Sequence, residues 1–158
     1  MKLLLIAFII ALTIDVAEVR LKYPQALNDP QVTEELYAEF IGLPEGNNGV
    51  LLGYKGAIYT LKAKHSKVIK EKKIYFKQGI ALLETAIGAH PENLELRFIR
   101  LSIQEHAPKI VKYNSNLQED KLFILTDFKN AKEKAVKKLI KNYIVTSALF
   151  TDEEKQLF

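Results

Sequence analysis

Residues 93–105 carry apolar side chains on most sides of a predicted helix. Its six apolar residues do not fall on a single stripe of the helix. They are Leu94, Leu96, Phe98, Ile99, Leu101 and Ile103. A helix of this kind cannot turn one side to water without exposing apolar groups, so other elements must cover it from several directions. We therefore predict that it lies at the centre of a helical bundle.

The remaining segments repeat the helical period and show no convincing strand pattern. Asp29 and Pro30 supply a polar cap and a first-turn proline for one of these helices. The glycine-rich stretch 42–49 predicts a long exposed loop. A chain of 158 residues with 48% apolar residues suits one globular domain. The prediction is an all-α fold, an antiparallel bundle of about six to seven helices, formed by residues 15–158 as a single domain.

The amino terminus combines Lys2 with an uninterrupted apolar run at residues 3–12. This run is shorter than the ~20 residues that cross a membrane, and it matches the apolar region of a secretory signal. We predict that residues 1–14 are a signal peptide and that the protein is exported to the periplasm or the extracellular space. A secretory signal ends at a cleavage site with small residues, and here such residues are poorly placed. Two alternatives to a signal peptide therefore remain: a buried amino-terminal helix in a cytoplasmic protein, and an uncleaved anchor.

A narrow polar stripe interrupts the central apolar helix. Arg97, Arg100 and Gln104 are spaced i, i+3 and i+7 along it. Buried arginines need partners, so the stripe either forms internal ion pairs, reaches solvent at an edge, or faces a groove that binds a ligand. In the last case Tyr54 and Tyr59 are the aromatic neighbours, and the partner is an acidic peptide or a neighbouring subunit.

Positive charge is concentrated in the second part of the chain. Residues 1–60 hold four basic and seven acidic side chains, whereas residues 61–158 hold nineteen and twelve. Two lysine runs, 62–77 and 129–141, contain no arginine, which disfavours nucleic acid as a partner. Such faces serve solubility or attract an anionic membrane surface or an acidic polymer. The lysines assigned to that second role are Lys70, Lys72, Lys73, Lys134, Lys137, Lys138 and Lys141.

The sequence contains no recognisable catalytic or metal-binding motif. Nucleophile-elbow, zinc-protease and phosphate-loop patterns do not occur, and the chain has no cysteine. His65, His90 and His106 have no partners at metal-ligand spacing. We predict no metal, no cofactor and no enzymatic activity.

One segment follows a known spacing of small and large residues. The positions separated by four, three and five residues are Gly79, Leu83, Ala86 and Pro91, and Gly56 and Tyr59 precede them. Over residues 52–91 this pattern resembles one helical hairpin of a tetratricopeptide repeat, with a longer, lysine-rich connection. The chain also resembles small, uncharacterised exported bacterial proteins of this helical kind. Both resemblances imply a fold, with closely packed helices, but no activity.

The function predicted from these patterns is an exported protein-interaction or structural module. The alternative is a peripheral protein that binds an anionic surface, either lipid or acidic polymer, through its lysine-rich helices. A helical enzyme is the last option.

The signal-peptide prediction can be checked by cell fractionation and amino-terminal sequencing. We expect the protein in the exported fraction, with a mature amino terminus close to residue 15, because an apolar run of this length is removed after export. Cytosolic protein that retains Met1 would contradict the prediction.

Overall fold

The computed structural model describes residues 14–42 and 48–158, which form eight α helices and two 3-10 turns. The helices are α1 (Val16–Ala26), α2 (Pro30–Ile41), α3 (Gly49–His65), α4 (Ile69–Ala89), α5 (Leu94–His106), α6 (Leu117–Asp127), α7 (Lys134–Thr146) and α8 (Asp152–Lys155). These ranges contain no strand, so the all-α prediction is confirmed. Most of the predicted signal peptide and loop 42–49 lies outside the described residues.

Local capping explains where several helices begin. The Asp29 side chain accepts hydrogen bonds from the backbone nitrogens of Gln31 and Val32, and Pro30 occupies the first turn of α2. Thr151 and Glu154 form a reciprocal capping box at α8. Each of these contacts satisfies an amide that the helix itself leaves without an acceptor.

Helix α5 is the central element of the bundle. It packs against α3, α4, α6 and α7, and nine of its thirteen residues are buried. The apolar residues that predicted this position, including Leu96, Ile99 and Leu101, are fully covered. The central position predicted for this helix is therefore confirmed.

Helices α3 and α4 form a long antiparallel hairpin. The lysine-rich connection predicted between Tyr59 and Gly79 is helical except for residues 66–68, so the additional residues lengthen both helices. Gly56 and Gly79 meet where the helices cross. A Cβ on Gly56 would lie 2.6 Å from the Gly79 carbonyl oxygen and 2.8 Å from the backbone nitrogen of Leu83. Only glycine allows this approach of the two backbones.

This crossing can be tested with two glycine substitutions in the hairpin. We expect Gly56→Ala to lower the free energy of unfolding by about 1–3 kcal/mol, because the added methyl group must displace backbone. Gly88→Ala is the control, since a Cβ there meets nothing within 4 Å; it should be neutral or stabilising by up to about 1 kcal/mol. Urea unfolding measures both, and equal losses would contradict the close approach.

Candidate functional site

The guanidinium of Arg100 is held by a buried carboxylate from α6. Its Nε donates to Asp120 Oδ2 at 2.6 Å and its Nη2 to Asp120 Oδ1 at 2.7 Å, while Nη1 reaches Glu84 Oε2 at 3.0 Å. Arg100 is 4% exposed and Asp120 is 0% exposed. Burial acts to lower the pKa of Arg100, but the hydrogen bond and charge of Asp120 outweigh it, so the pKa rises. This two-pronged pairing is the strongest geometry available to an arginine and a carboxylate.

Arg97 shares the same carboxylate. Its Nη1 donates to Asp120 Oδ1 at 3.0 Å and also to Glu119, and its Nε donates to the carbonyl of Pro91 at 2.8 Å. The guanidinium also lies over the ring of Phe123, 5.2 Å from its centroid. Arg97 therefore contacts α6 and the turn that precedes α5.

Gln104, the third residue of the stripe, is also buried. It is 2% exposed, and its Nε2 donates a long hydrogen bond to Asn116 Oδ1 at 3.4 Å. Its Oε1 accepts no hydrogen bond from the described residues. The sequence left three alternatives open for this stripe: internal ion pairs, solvent exposure or a ligand groove. Arg97 and Arg100 form internal ion pairs.

The two tyrosines predicted beside the stripe lie elsewhere. Tyr54 is fully buried. Tyr59 is half-buried in a cluster with Tyr37 and Tyr75, at centroid distances of 5.1 and 6.2 Å. The structure thus places the five predicted binding residues in separate clusters.

A second buried carboxylate, Glu95, was not singled out by sequence reasoning. It is 3% exposed and accepts hydrogen bonds from Arg20 Nε at 2.7 Å, Arg20 Nη2 at 2.6 Å and the Tyr54 hydroxyl at 2.7 Å. Arg20 also pairs with Glu133 at 2.6 Å. The bond with Glu95 raises the pKa of Arg20, and burial followed by the charge of Glu95 raises that of Tyr54. The position of Glu95 in the first turn of α5 gave no indication that its partner, Arg20, lies 75 residues away in the chain.

A third carboxylate, Glu105 of α5, fixes the end of α7. Glu105 Oε1 accepts from the Ser147 hydroxyl at 2.9 Å and from the backbone nitrogen of Ala148 at 3.0 Å, and Glu105 Oε2 accepts from the Tyr143 hydroxyl. Burial and the hydrogen bond with Glu105 raise the pKa of Tyr143. The polar side chains of α5 therefore connect helices rather than line an open site.

The lysines of α4 have a different environment. Lys70, Lys72 and Lys73 are exposed, as are the neighbouring Lys67 and Lys77. None of the five forms an ion pair with a carboxylate in residues 14–42 or 48–158. Earlier in the same run, Lys62 pairs with Glu34 and so belongs to the fold. Lys72 does donate to the carbonyl of Lys64 at 3.3 Å, so the free positive charge around the start of α4 lies on Lys67, Lys70, Lys73 and Lys77.

Helix α7 presents a second, smaller set of free lysines. Lys134, Lys138 and Lys141 are exposed. Lys137 instead lies over the ring of Phe128 at 5.5 Å and donates to the carbonyl of Lys129 at 3.0 Å. Lys137 therefore contributes to packing, and three of the four lysines predicted on this helix remain available to an external partner.

Other kinds of site find little support in the described ranges. They hold no group of three or more His, Asp or Glu side chains arranged to bind a metal. No helix among them is both long enough and apolar enough to span a bilayer. Comparison of the chain with protein-family models, with curated proteins and with solved structures gave no match.

The role of the Arg97–Arg100 network can be tested with two carboxylate variants. We expect Asp120→Asn to lower the free energy of unfolding by about 3–5 kcal/mol, because it leaves Arg100 buried without its main counterion. Glu119→Gln is the control: it removes an ion pair with Arg97 in the same network, but the Glu119 side chain is 54% exposed, so the loss should stay below about 1 kcal/mol. Urea unfolding measures both variants. Similar losses would show that the buried Arg100–Asp120 pair stabilises the fold no more than the exposed pair does.

Proposed function

We propose that the protein attaches peripherally to an anionic surface through the lysines of α4. The observation that carries this proposal is a set of exposed lysines without a carboxylate partner among the described residues. Lys70, Lys73 and Lys77, spaced i, i+3 and i+7, share one face of α4, and Lys67 and Lys72 lie near it in the chain. Glu71 is the sole acidic residue between positions 67 and 77. Each lysine close to an anionic membrane contributes about 1 kcal/mol to binding.

The position of these lysines supports a role beyond solubility. Lys70 and Lys72 lie in the first turn of α4, where the helix dipole is positive and each cation is unfavourable by about 0.3–1 kcal/mol. Lysines that serve only solubility could lie anywhere on the exposed face. An anionic surface next to this turn would offset both the dipole and the mutual repulsion of the lysines.

The alternative function, binding of an acidic peptide at Arg97 and Arg100, has less support. Both guanidiniums already have carboxylate partners, so an acidic ligand would have to displace Asp120 from a buried position. The interaction-module hypothesis therefore ranks below surface attachment, and a helical enzyme remains last. Export, expected from residues 1–14, is compatible with attachment, since membranes and acidic polymers also occur outside the cytoplasm.

Two triple variants with equal charge test the proposal. We expect Lys70→Gln/Lys73→Gln/Lys77→Gln to weaken binding to vesicles containing phosphatidylserine by about 100-fold, the equivalent of about 1 kcal/mol per lysine. Lys134→Gln/Lys138→Gln/Lys141→Gln, on α7, should weaken it less than about threefold, because charges away from the contact are screened over about 10 Å in 0.1 M salt. Vesicle co-sedimentation at several salt concentrations measures both.

Both variants lower the net charge of +4 by three units, so equal losses would mean that net charge alone drives binding. If the α4 variant binds vesicles as tightly as the unmodified protein, the proposal is wrong. Circular dichroism confirms that each variant retains its helices, and neutral phosphatidylcholine vesicles supply the background.

A further inference from the structure

Two short segments of the chain share one pattern, a pair of aliphatic residues between two lysines. Residues 67–70 read KVIK and residues 109–112 read KIVK. The first contains the end of the α3–α4 turn and the start of α4; the second contains a 3-10 turn between α5 and α6. The aliphatic side chains are exposed to 51%, 71%, 88% and 39%, in the order Val68, Ile69, Ile110 and Val111.

The two segments are held on the same side of α4. Tyr113 directly follows the second segment, and its ring packs edge-on against Phe76 with the centroids 6.0 Å apart. Its hydroxyl also donates to Glu84, further along α4. Phe76 is seven residues after Ile69, so the two share a face of α4, about 10 Å apart along its axis. Residues 109–112 are therefore anchored on the face of α4 that presents Ile69.

Both turns depart from the usual local preferences of their residues. Val68 occupies the cap position of α4 without a side-chain cap hydrogen bond, although polar residues are preferred there. Lys112 has a φ of 51°, the one positive φ of a non-glycine residue in the described ranges. Left-handed backbone is unfavourable for a residue with a side chain, so this turn is held by its surroundings, among them Tyr113.

From these observations we infer that residues 67–70 and 109–112 together insert their aliphatic side chains into an anionic lipid bilayer, with the flanking lysines at the lipid headgroups. This inference rests on the proposed attachment of α4 to an anionic surface and identifies that surface. Exposed aliphatic groups interleaved with lysines match the boundary between acyl chains and acidic headgroups, where each group meets its preferred environment.

Charge complementarity distinguishes the bilayer from other occupants of this surface. A second copy of the chain would bring the lysines of one patch against those of the other, which is repulsive. A soluble polyanion would satisfy the lysines but leave Ile69 and Ile110 in water. Of these three occupants, only an anionic bilayer engages both kinds of side chain.

The inference is tested by removing apolar surface without changing charge. We expect Ile69→Gln/Ile110→Gln to weaken binding to phosphatidylserine-containing vesicles by about tenfold or more, because two aliphatic groups no longer leave water. Binding to heparin, a soluble polyanion, should change less than about twofold, since every lysine remains. The control is Leu122→Gln/Val145→Gln, which alters side chains that are 62% and 60% exposed on α6 and α7 and should leave vesicle binding unchanged.

A spectroscopic readout tests the same point independently of affinity. The chain contains no tryptophan, so Ile110→Trp introduces a single tryptophan at a position that is 88% exposed, the highest value among the large apolar residues that the structure describes. Its emission should shift to shorter wavelength with phosphatidylserine vesicles and stay unchanged with heparin, whereas Leu122→Trp should show no shift with either.

The outcomes separate this inference from the proposed function. If the Gln double variant binds vesicles as tightly as the unmodified protein, or if Ile110→Trp shows no shift while the protein is bound, insertion is wrong and purely electrostatic attachment stands. An equal loss of vesicle and heparin binding in the Gln double variant also overturns insertion. If the α4 lysine triple variant binds vesicles normally, the proposed function itself fails.

Discussion

Charge pairing along the central helix is the constraint on which the rest of the fold depends. Helix α5 buries Glu95 and Arg100 among apolar side chains, and an isolated charge in such a place is very costly. Each therefore needs an opposite charge from another helix: Glu95 takes Arg20 from α1, and Arg100 takes Asp120 from α6. Burial of its apolar residues places α5 at the centre of the bundle. The two ion pairs then determine which helices pack against it and in what register.

The three arginines and the lysines of the chain have separate roles. Arg20, Arg97 and Arg100 all contact buried carboxylates, which the planar guanidinium suits because it donates two parallel hydrogen bonds. The exposed lysines of α4 and α7 remain outside this network. The positive charge of the second half of the chain therefore lies mostly on surface lysines, whereas the buried ion pairs use arginine.

Sequence patterns predicted the features that depend on neighbouring residues. The central position of α5 followed from its apolar residues, and the start of α2 followed from Asp29 and Pro30. The lysine-rich stretch before Gly79 was predicted as a connection, but lysine is a good helix former, and only residues 66–68 leave the helix.

Pairings between distant residues could not be predicted from pattern alone. The partner of Glu95 is 75 residues away in the chain, and periodicity gives no information about contacts at that separation. Arg97 and Arg100 showed that carboxylates were needed, but many acidic residues qualified equally. Likewise, residues 109–112 read as an ordinary loop until the contact of Tyr113 with Phe76 placed them beside α4.

The glycine crossing of α3 and α4 has a consequence for how an attached molecule would be oriented. The backbones of α3 and α4 touch at Gly56 and Gly79, and α4 is one continuous helix from its basic end to residue 89. The helix starts at Asn48 and Asn93 lie at the opposite end of the hairpin. Attachment through residues 67–77 and 109–112 would involve one end of this hairpin and leave the end with Asn48 and Asn93 free to meet other molecules.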